Sequence, residues 1–325
     1  MELLLDILGL AAGIAVLVWS ADVFVDGSAA FARRCGMSPL LIGMIIIGFG
    51  TSMPELLVSA LAAAEHSPSI ALGNAYGSNI ANIGLILGLT ALLAPITVSR
   101  SVVWREIPTL IFATVIGALF LLNGGVITRG EAFLMLGVFF VVMAVNGMVS
   151  GKKQEASEVN ARPMTLGKSI LMIVGGLLLL VGSSRLLVVC AIRIARVLGV
   201  PDLIIGLTIV AIGTSLPELA SSIAAIRKKE HDLVIGNIIG SNLFNTLAVV
   251  GIACAISPMT EGVQKDAVAQ IIHRDIWVVG AMTLLLWGVC IPWRRGRPAV
   301  VNRCEGLVLA LFFVSYLGWL VYCAI

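Results

Sequence analysis

Long apolar runs alternate with short polar segments along nearly the whole chain. Ten runs carry almost no charge: 7–21, 40–64, 70–96, 107–128, 132–149, 170–184, 203–226, 233–256, 276–293 and 306–325. A helix needs about 20 apolar residues to cross the hydrocarbon core of a bilayer. Strands of a membrane β-barrel would instead alternate apolar and polar positions. The pattern therefore predicts an all-α membrane protein with ten transmembrane helices.

The composition agrees with this pattern and excludes other classes of protein. Of the 325 residues, 59% are hydrophobic and 12% are charged, and the formal net charge is +3. Soluble domains have about 25% charged residues. The basic residues lie in short clusters between apolar runs, which argues against nucleic-acid binding.

The loop charges predict how the chain lies in the membrane. With ten crossings, the loops on one face hold fifteen lysines and arginines, and the loops on the other face hold five. Because cytoplasmic loops are enriched in basic residues, we expect the first face to be cytoplasmic and both termini extracytoplasmic, in the plasma (inner) membrane. Residues 151–168 would form a cytoplasmic linker between two five-helix repeats, 1–150 and 169–325.

The two halves share a pair of motifs at one fixed offset. GTSMPE at 50–55 and GNAYGSNIAN at 73–82 match GTSLPE at 213–218 and GNIIGSNLFN at 236–245, each displaced by 163 positions. A repeat of this length holds five crossings, and because five is odd the two halves have opposite orientation. Inverted repeats with helices interrupted by Gly and Pro are typical of secondary transporters.

Each repeat carries one carboxylate within otherwise uncharged apolar runs. Glu55 is the only charged residue of 40–64, and Glu218 is the only one of 203–226. A charge at that depth costs at least a few kcal/mol unless it faces a cavity, a partner or an ion. We expect a bound cation, and the alternative is a protonated carboxyl group that is hydrogen-bonded to a neighbour.

Neutral oxygen donors accompany each glutamate at helical spacing. Thr51 precedes Glu55 by four residues, and Thr214 precedes Glu218 by four. The next run of each repeat presents polar side chains at every fourth position: Asn74, Ser78 and Asn82, and Asn237, Ser241 and Asn245. Oxygen ligands without thiolate or imidazole suit a hard cation such as Ca²⁺ or Na⁺. The two carboxyl groups could hold one divalent ion, two monovalent ions, or protons.

The paired motifs resemble the two repeats of the cation/Ca²⁺ exchanger superfamily, specifically its bacterial sodium/calcium exchanger-like membrane proteins. The resemblance implies that Glu55 and Glu218 are the principal Ca²⁺ ligands and that the first and sixth helices slide against a core of four repeat helices. It also implies further ligands for Na⁺ or Ca²⁺: Thr51, Ser52, Ser78, Asn82, Thr214, Ser215, Ser241 and Asn245, and the carbonyls of Gly48 and Ala211. K⁺-dependent relatives use an aspartate at the position of Asn245, which argues against K⁺ coupling here.

The sequence thus predicts a transporter rather than an enzyme: an antiporter that exchanges Na⁺ for Ca²⁺ by alternating access. Ca²⁺/H⁺ exchange by the same two glutamates is the alternative. The expected partners are the transported Ca²⁺ and Na⁺ ions and membrane lipid, with no permanently bound cofactor and no nucleic acid. A membrane scaffold would be expected to show eroded ligand motifs, and these motifs are intact. Stoichiometry, direction and oligomeric state stay open.

Three charged residues within or beside the predicted crossings have no assigned role. Asp22 and Arg185 occupy equivalent positions in the two repeats. Because the repeats are inverted, we expect these side chains to snorkel toward opposite interfaces rather than to pair with each other. Asp26, one helical turn beyond Asp22, fits a cytoplasmic mouth.

Overall fold

The computed structural model describes residues 2–122, 126–150, 164–199, 209, 211–259, 271–292 and 299–324. Nearly all of these residues are helical, which confirms the all-α membrane fold. Among them, eight helices are long and apolar enough to cross a membrane, and the bent pair 39–51 and 53–64, whose halves meet at 46°, passes the same test when it is taken as one span. The predicted run 203–226 lies partly outside the described residues.

In the first repeat, eight α-helices are interrupted by π-helical turns. The α-helices are α1 (Glu2–Cys35), α2 (Pro39–Ile42), α3 (Phe49–Thr51), α4 (Met53–Ala64), α5 (Pro68–Ala81), α6 (Gly88–Leu93), α7 (Ile107–Leu122) and α8 (Arg129–Ser150). The π-helical turns are π1 (Gly43–Gly48), π2 (Asn82–Leu87) and π3 (Val102–Glu106), and strand β1 is Ile96–Val98.

The described part of the second repeat has the same plan. Its α-helices are α9 (Leu166–Val197), α10 (Ala211–Thr214), α11 (Leu216–Arg227), α12 (His231–Leu243), α13 (Val250–Ile256), α14 (Ile276–Cys290) and α15 (Arg303–Ala324). The π-helical turns are π4 (Phe244–Val249) and π5 (Ile271–Asp275), and strand β2 is Ala299–Val301. Because Thr165 caps α9 by accepting the N–H of Lys168 at 3.4 Å, the helix begins within the predicted linker 151–168, of which residues 151–163 lie outside the described residues.

The last helix of each repeat packs against the other repeat. α15 packs along α6, where Gly88 meets Gly306 and Ala310. α8 packs along α13, where Gly251 faces Leu136. Gly88 and Gly251 differ by 163 positions, so these two contacts are equivalent under the inverted repeat. The last helix of each repeat therefore packs against a helix of the other repeat in the same way.

Short extended segments join the repeats at two places. β1 pairs antiparallel with β2, with Ile96 opposite Val301. A single antiparallel bridge joins Ile127 to Met259. In each case the two partners come from loops, or from the adjoining ends of predicted runs, that lie at one face of the membrane in the predicted arrangement. The pairing thus agrees with the predicted grouping of the loops, and the absolute orientation stays a prediction.

α1 and α9 form a closely packed antiparallel pair outside the core of repeat helices. Gly13 of α1 faces Leu187, and Gly176 of α9 faces the backbone of Phe24. An ion pair of 3.4 Å between Asp6 and Arg193 joins the start of α1 to the end of α9. These contacts hold the two helices together as one unit.

The core of the molecule is centred on α12, which is buried almost throughout. Gly236 and Gly240 lie on the face of α12 that packs against α2 and π1. A Cβ atom at Gly240 would overlap the backbone of Met44. This close approach brings the polar residues of α12 beside the helix break that precedes Glu55.

Candidate ion-binding site

The helix that carries each glutamate is interrupted just before it. Ser52 has φ −85° and ψ 7°, and Ser215 has φ −89° and ψ 5°, so neither residue is helical. Pro54 and Pro217 follow in the first turn of α4 and α11, where a missing N–H leaves no hydrogen bond unmade. Because proline has no N–H to continue the preceding helix, the same local sequence produces the same break in both repeats.

Glu55 and Glu218 lie in the first turns of α4 and α11, and only 1% and 2% of these residues is exposed. The hydroxyl of Ser52, three residues before Glu55, contacts Glu218, so the two glutamates lie close together. Within the described residues, no ion pair involves either side chain, and both oxygens of Glu55 and Oε2 of Glu218 lack a hydrogen-bond partner. Because ionised carboxylates are costly to bury without a partner, this acceptor-rich pair is chemically suited to binding a cation.

Residues of the first helix break contact the glutamate of the second repeat. The hydroxyl of Ser52 donates to Oε1 of Glu218 at 2.9 Å, and Thr51 lies beside the same carboxylate. In the second break, the Ser215 hydroxyl is buried and has no hydrogen-bond partner in the described part of the chain, and Thr214 is half-buried. Among the described residues, Ser52 thus bonds to the glutamate of the other repeat and Ser215 does not.

An asparagine holds the backbone at Glu55. Nδ2 of Asn74 donates to the carbonyl of Glu55 at 3.1 Å and to the hydroxyl of Ser59 at 3.0 Å. Ser59 is one helical turn beyond Glu55, so the amide group of α5 spans the first turn of α4. This contact fixes the two helices at the height of the carboxylate.

The second repeat has the equivalent contact with one addition. Nδ2 of Asn237 donates to the carbonyl of Glu218 at 3.1 Å and to Ser222 at 2.9 Å. The hydroxyl of Thr51 donates to the Ile47 carbonyl at 2.9 Å and also lies 3.3 Å from Oδ1 of Asn237. Asn237 therefore links Glu218 to a predicted ligand of the first repeat.

The predicted carbonyl ligand Gly48 lies at the same crossing of the repeats. Its oxygen accepts the Ser241 hydroxyl at 3.2 Å and the N–H of Ser52 at 3.2 Å. Ser78 lies beside Glu55 without making a hydrogen bond to it. Ala211 is the first residue of α10, and residue 210 before it lies outside the described residues.

Four asparagines lie where α5 and α12 pass into π2 and π4: Asn79, Asn82, Asn242 and Asn245. Nδ2 of Asn82 donates to Oδ1 of Asn242 at 2.9 Å, and Nδ2 of Asn79 donates to Thr246 at 2.7 Å. In the described residues, neither polar atom of Asn245 has a hydrogen-bond partner. The amide group of Asn82 thus makes one hydrogen bond, whereas that of Asn245 makes none with the described residues. π-Helical turns often occur at functional sites, and both asparagines lie in such turns.

The structure thus places Ser52 and Thr51 beside Glu218, Ser241 beside Gly48, and Ser78 beside Glu55. Four further residues, which were not predicted from the sequence, support the predicted ligands: Ser59, Asn79, Ser222 and Asn242. Their recurrence at the offset of 163 could have revealed them. The described residues contain no group of three or more His, Cys, Asp or Glu side chains that could hold a metal ion. The predicted donors are two carboxylates and neutral oxygens, which suit a hard cation.

The chain is similar to known proteins over nearly its whole length. A protein of Alkalimonas amylolytica named CaxA is 45% identical over 311 residues, which cover 94% of this chain and 95% of that protein. The inner membrane protein YrbG of Escherichia coli is 34% identical over 319 residues, 96% of this chain and 95% of that protein.

The fold is also similar to that of a solved transporter. A structure of the sodium-calcium exchanger NCX_Mj, soaked with Na⁺, superposes with a TM-score of 0.82 at 28% identity and covers 97% of this chain and 99% of that chain. Residues 5–148 and 168–322 match the family described as sodium/calcium exchanger protein. These two segments are the halves that carry the paired motifs, and the chain therefore belongs to the sodium/calcium exchanger protein family of membrane antiporters.

Proposed function

We propose that this protein exchanges Na⁺ for Ca²⁺ across the plasma membrane. The observation that carries the proposal is the buried pair of Glu55 and Glu218, which has no cationic side chain beside it in the described residues. Two carboxylates balance the charge of one Ca²⁺ ion. The likeness to the structure of the sodium-calcium exchanger NCX_Mj supports Na⁺ as the counter-ion.

The remaining ligands come from neutral oxygens around the two carboxylates. They are Thr51, Ser52, Ser78, Asn82, Thr214, Ser215, Ser241 and Asn245, with the carbonyls of Gly48 and Ala211. Ca²⁺ takes six to eight oxygen ligands, and the same oxygens can hold Na⁺. Because both ions need Glu55 and Glu218, they cannot occupy the site together. Competition for one site couples the two fluxes.

Alternating access requires the shared site to open to each membrane face in turn. The contacts between α1 and α9, including the ion pair of Asp6 with Arg193, support movement of these two helices as one body. The core helices α4, α5, α11 and α12 are linked by Asn74 and Asn237. We infer that α1 and α9 slide against this core. With fifteen basic residues on one face, the central linker is cytoplasmic and both termini are extracytoplasmic.

Ca²⁺/H⁺ exchange is the second candidate function, because the carboxyl groups of Glu55 and Glu218 can also bind protons. Both oxygens of Glu55 lack hydrogen-bond partners among the described residues, so that this carboxyl group could carry a proton after Ca²⁺ leaves. The two functions differ in what drives Ca²⁺ uptake.

Uptake of ⁴⁵Ca²⁺ into proteoliposomes tests the two candidates directly. Vesicles loaded with Na⁺ are compared with vesicles loaded with choline at the same pH and with vesicles that carry only a pH gradient. We expect uptake only when Na⁺ flows outward. Uptake with the pH gradient alone would favour proton exchange, and absence of uptake under both gradients would contradict Ca²⁺ as the transported ion.

A further inference from the structure

The two inverted repeats carry opposite charges at equivalent positions. Asp22 of α1 and Arg185 of α9 are 163 positions apart, as are Glu65 after α4 and Lys228 after α11. An acid–base pair between α1 and the end of α11 would therefore have a counterpart of reversed sign between α9 and the end of α4. In an inverted repeat the two pairs lie at opposite membrane faces.

The loops that carry Glu65 and Lys228 have the same backbone shape. The next residues, His66 and Lys229, have positive φ values of 57° and 61°. Each loop is closed by an equivalent hydrogen bond, from the N–H of Ser67 to Ala62 at 2.8 Å and from that of Glu230 to Ala225 at 3.0 Å. The equivalence of Glu65 and Lys228 is therefore structural as well as sequential.

The ion pair between α1 and the end of α11 is formed. Nζ of Lys228 lies 2.7 Å from Oδ1 of Asp26 and 3.5 Å from Oδ1 of Asp22. The same ammonium group donates to the backbone carbonyl of Asp22 at 2.8 Å. Arg227 adds a longer contact of 3.9 Å to Asp22. We call Asp22, Asp26 and Lys228 the cytoplasmic latch.

The equivalent contact in the other half is open. Glu65 and Arg185 are both exposed, and neither forms an ion pair with any described residue. We call these two residues the outer latch. Helix packing shows the same difference, because α1 packs along α11, whereas α9 makes no comparable contact with α4 among the described helices.

We propose that the two latches form alternately and set the side to which the ion site opens. The cytoplasmic latch is formed in this structure, and it holds the conformation in which the cytoplasmic face is closed. Movement of the α1/α9 unit that separates Asp26 from Lys228 brings Arg185 toward Glu65, because the repeats are inverted. The proposal rests on alternating access, as proposed above, but does not depend on which ions are exchanged.

Opposite charge reversals test this proposal by hydrogen–deuterium exchange of the full chain in lipid nanodiscs. Lys228→Glu should destabilise the cytoplasmic latch and thereby favour the outer latch. The rate of deuterium exchange in the distant loop 61–67 should then fall. Glu65→Lys should destabilise the outer latch and thereby favour the cytoplasmic latch. The rate of deuterium exchange in the distant loop 224–230 should then fall. We expect changes of roughly twofold to fivefold, the effect of a partly exposed ion pair. Each variant is judged at the loop it does not alter, so that local disturbance does not count.

Two further variants separate a latch from a general structural effect. Lys168 is exposed on the same predicted face and has no ion-pair partner among the described residues. Lys168→Glu reverses its charge and should leave the exchange rates of both loops unchanged. Asp26→Lys combined with Lys228→Glu should bring the exchange rates part of the way back to the original values, since Asp22 keeps its negative charge beside position 228. Unchanged distant loops in Lys228→Glu and Glu65→Lys, or a change of the same kind in Lys168→Glu, would overturn the proposal. Deuterium exchange requires no ion flux, so a failed Na⁺/Ca²⁺ uptake assay would leave this result standing.

Discussion

The hydroxyl of Ser52 donates a hydrogen bond to Oε1 of Glu218 at 2.9 Å, across the boundary between the two repeats. In the described residues Ser215 makes no equivalent bond to Glu55. The helix break of the first half thus holds the carboxylate of the second half, but the reverse contact is missing. A cation that enters this conformation finds both oxygens of Glu55 available and one oxygen of Glu218 already engaged.

Replacement of either glutamate by glutamine should abolish exchange. Glu55→Gln and Glu218→Gln each remove one of the two charges that balance Ca²⁺, and we expect Na⁺-driven ⁴⁵Ca²⁺ uptake to fall at least about 100-fold because a dry site screens charge poorly. Both variants should still fold and insert, since the glutamine keeps the shape of the side chain.

A matched control is Glu131→Gln. Glu131 lies at the start of α8, where its Oε2 accepts the N–H of Thr128 at 2.8 Å as part of a helix cap. This variant should keep its exchange activity. Uptake at the wild-type rate in Glu55→Gln or Glu218→Gln would refute the assignment of these residues to the ion site.

Asn237 should matter more for ion affinity than Asn74. Both asparagines hold the backbone at a glutamate, but Asn237 also lies 3.3 Å from the hydroxyl of Thr51. Loss of buried hydrogen bonds of this kind costs about 1–3 kcal/mol. We expect Asn237→Ala to raise the KM for Ca²⁺ about tenfold and Asn74→Ala to raise it less. Equal effects in the two variants would argue against the link through Thr51.

A third carboxylate at position 245 should tighten Ca²⁺ binding and slow its release. The amide of Asn245 is buried and unpartnered among the described residues, so that Asn245→Asp adds charge without breaking a hydrogen bond. We expect a KM for Ca²⁺ that is about tenfold lower, with a lower maximal rate, because attraction is strong in a poorly screened site. Asn245→Ala is the control. A similar change of KM in both variants would show that charge is not the cause.

The contact of α12 with π1 should be sensitive to a single methyl group. A Cβ atom at Gly240 would overlap the backbone of Met44, whereas Gly137 is exposed and has open space around it. Overpacking typically costs about 1–3 kcal/mol. We therefore expect Gly240→Ala to lower the Tm in detergent and Gly137→Ala to leave it nearly unchanged. An unchanged Tm in Gly240→Ala would contradict the close approach of these helices.

The membrane fold, the duplication and the candidate ligands Glu55 and Glu218 could all be predicted from the amino-acid sequence. These conclusions depend on local properties: the length of apolar runs, the spacing within a helix, and the recurrence of motifs at one offset. The helix breaks at Ser52 and Ser215 also follow from local sequence, because Pro54 and Pro217 cannot continue the preceding helices.

The contacts between the two repeats, in contrast, depend on how the helices are arranged in three dimensions. The bond of Ser52 to Glu218, the proximity of Thr51 to Asn237 and the latch of Asp26 with Lys228 join residues far apart in the chain. The sequence placed Asp22 and Arg185 at equivalent positions and predicted that they would not pair. It did not reveal Lys228 as the partner of Asp22, because helical periodicity says which residues share a face but not which helix that face meets.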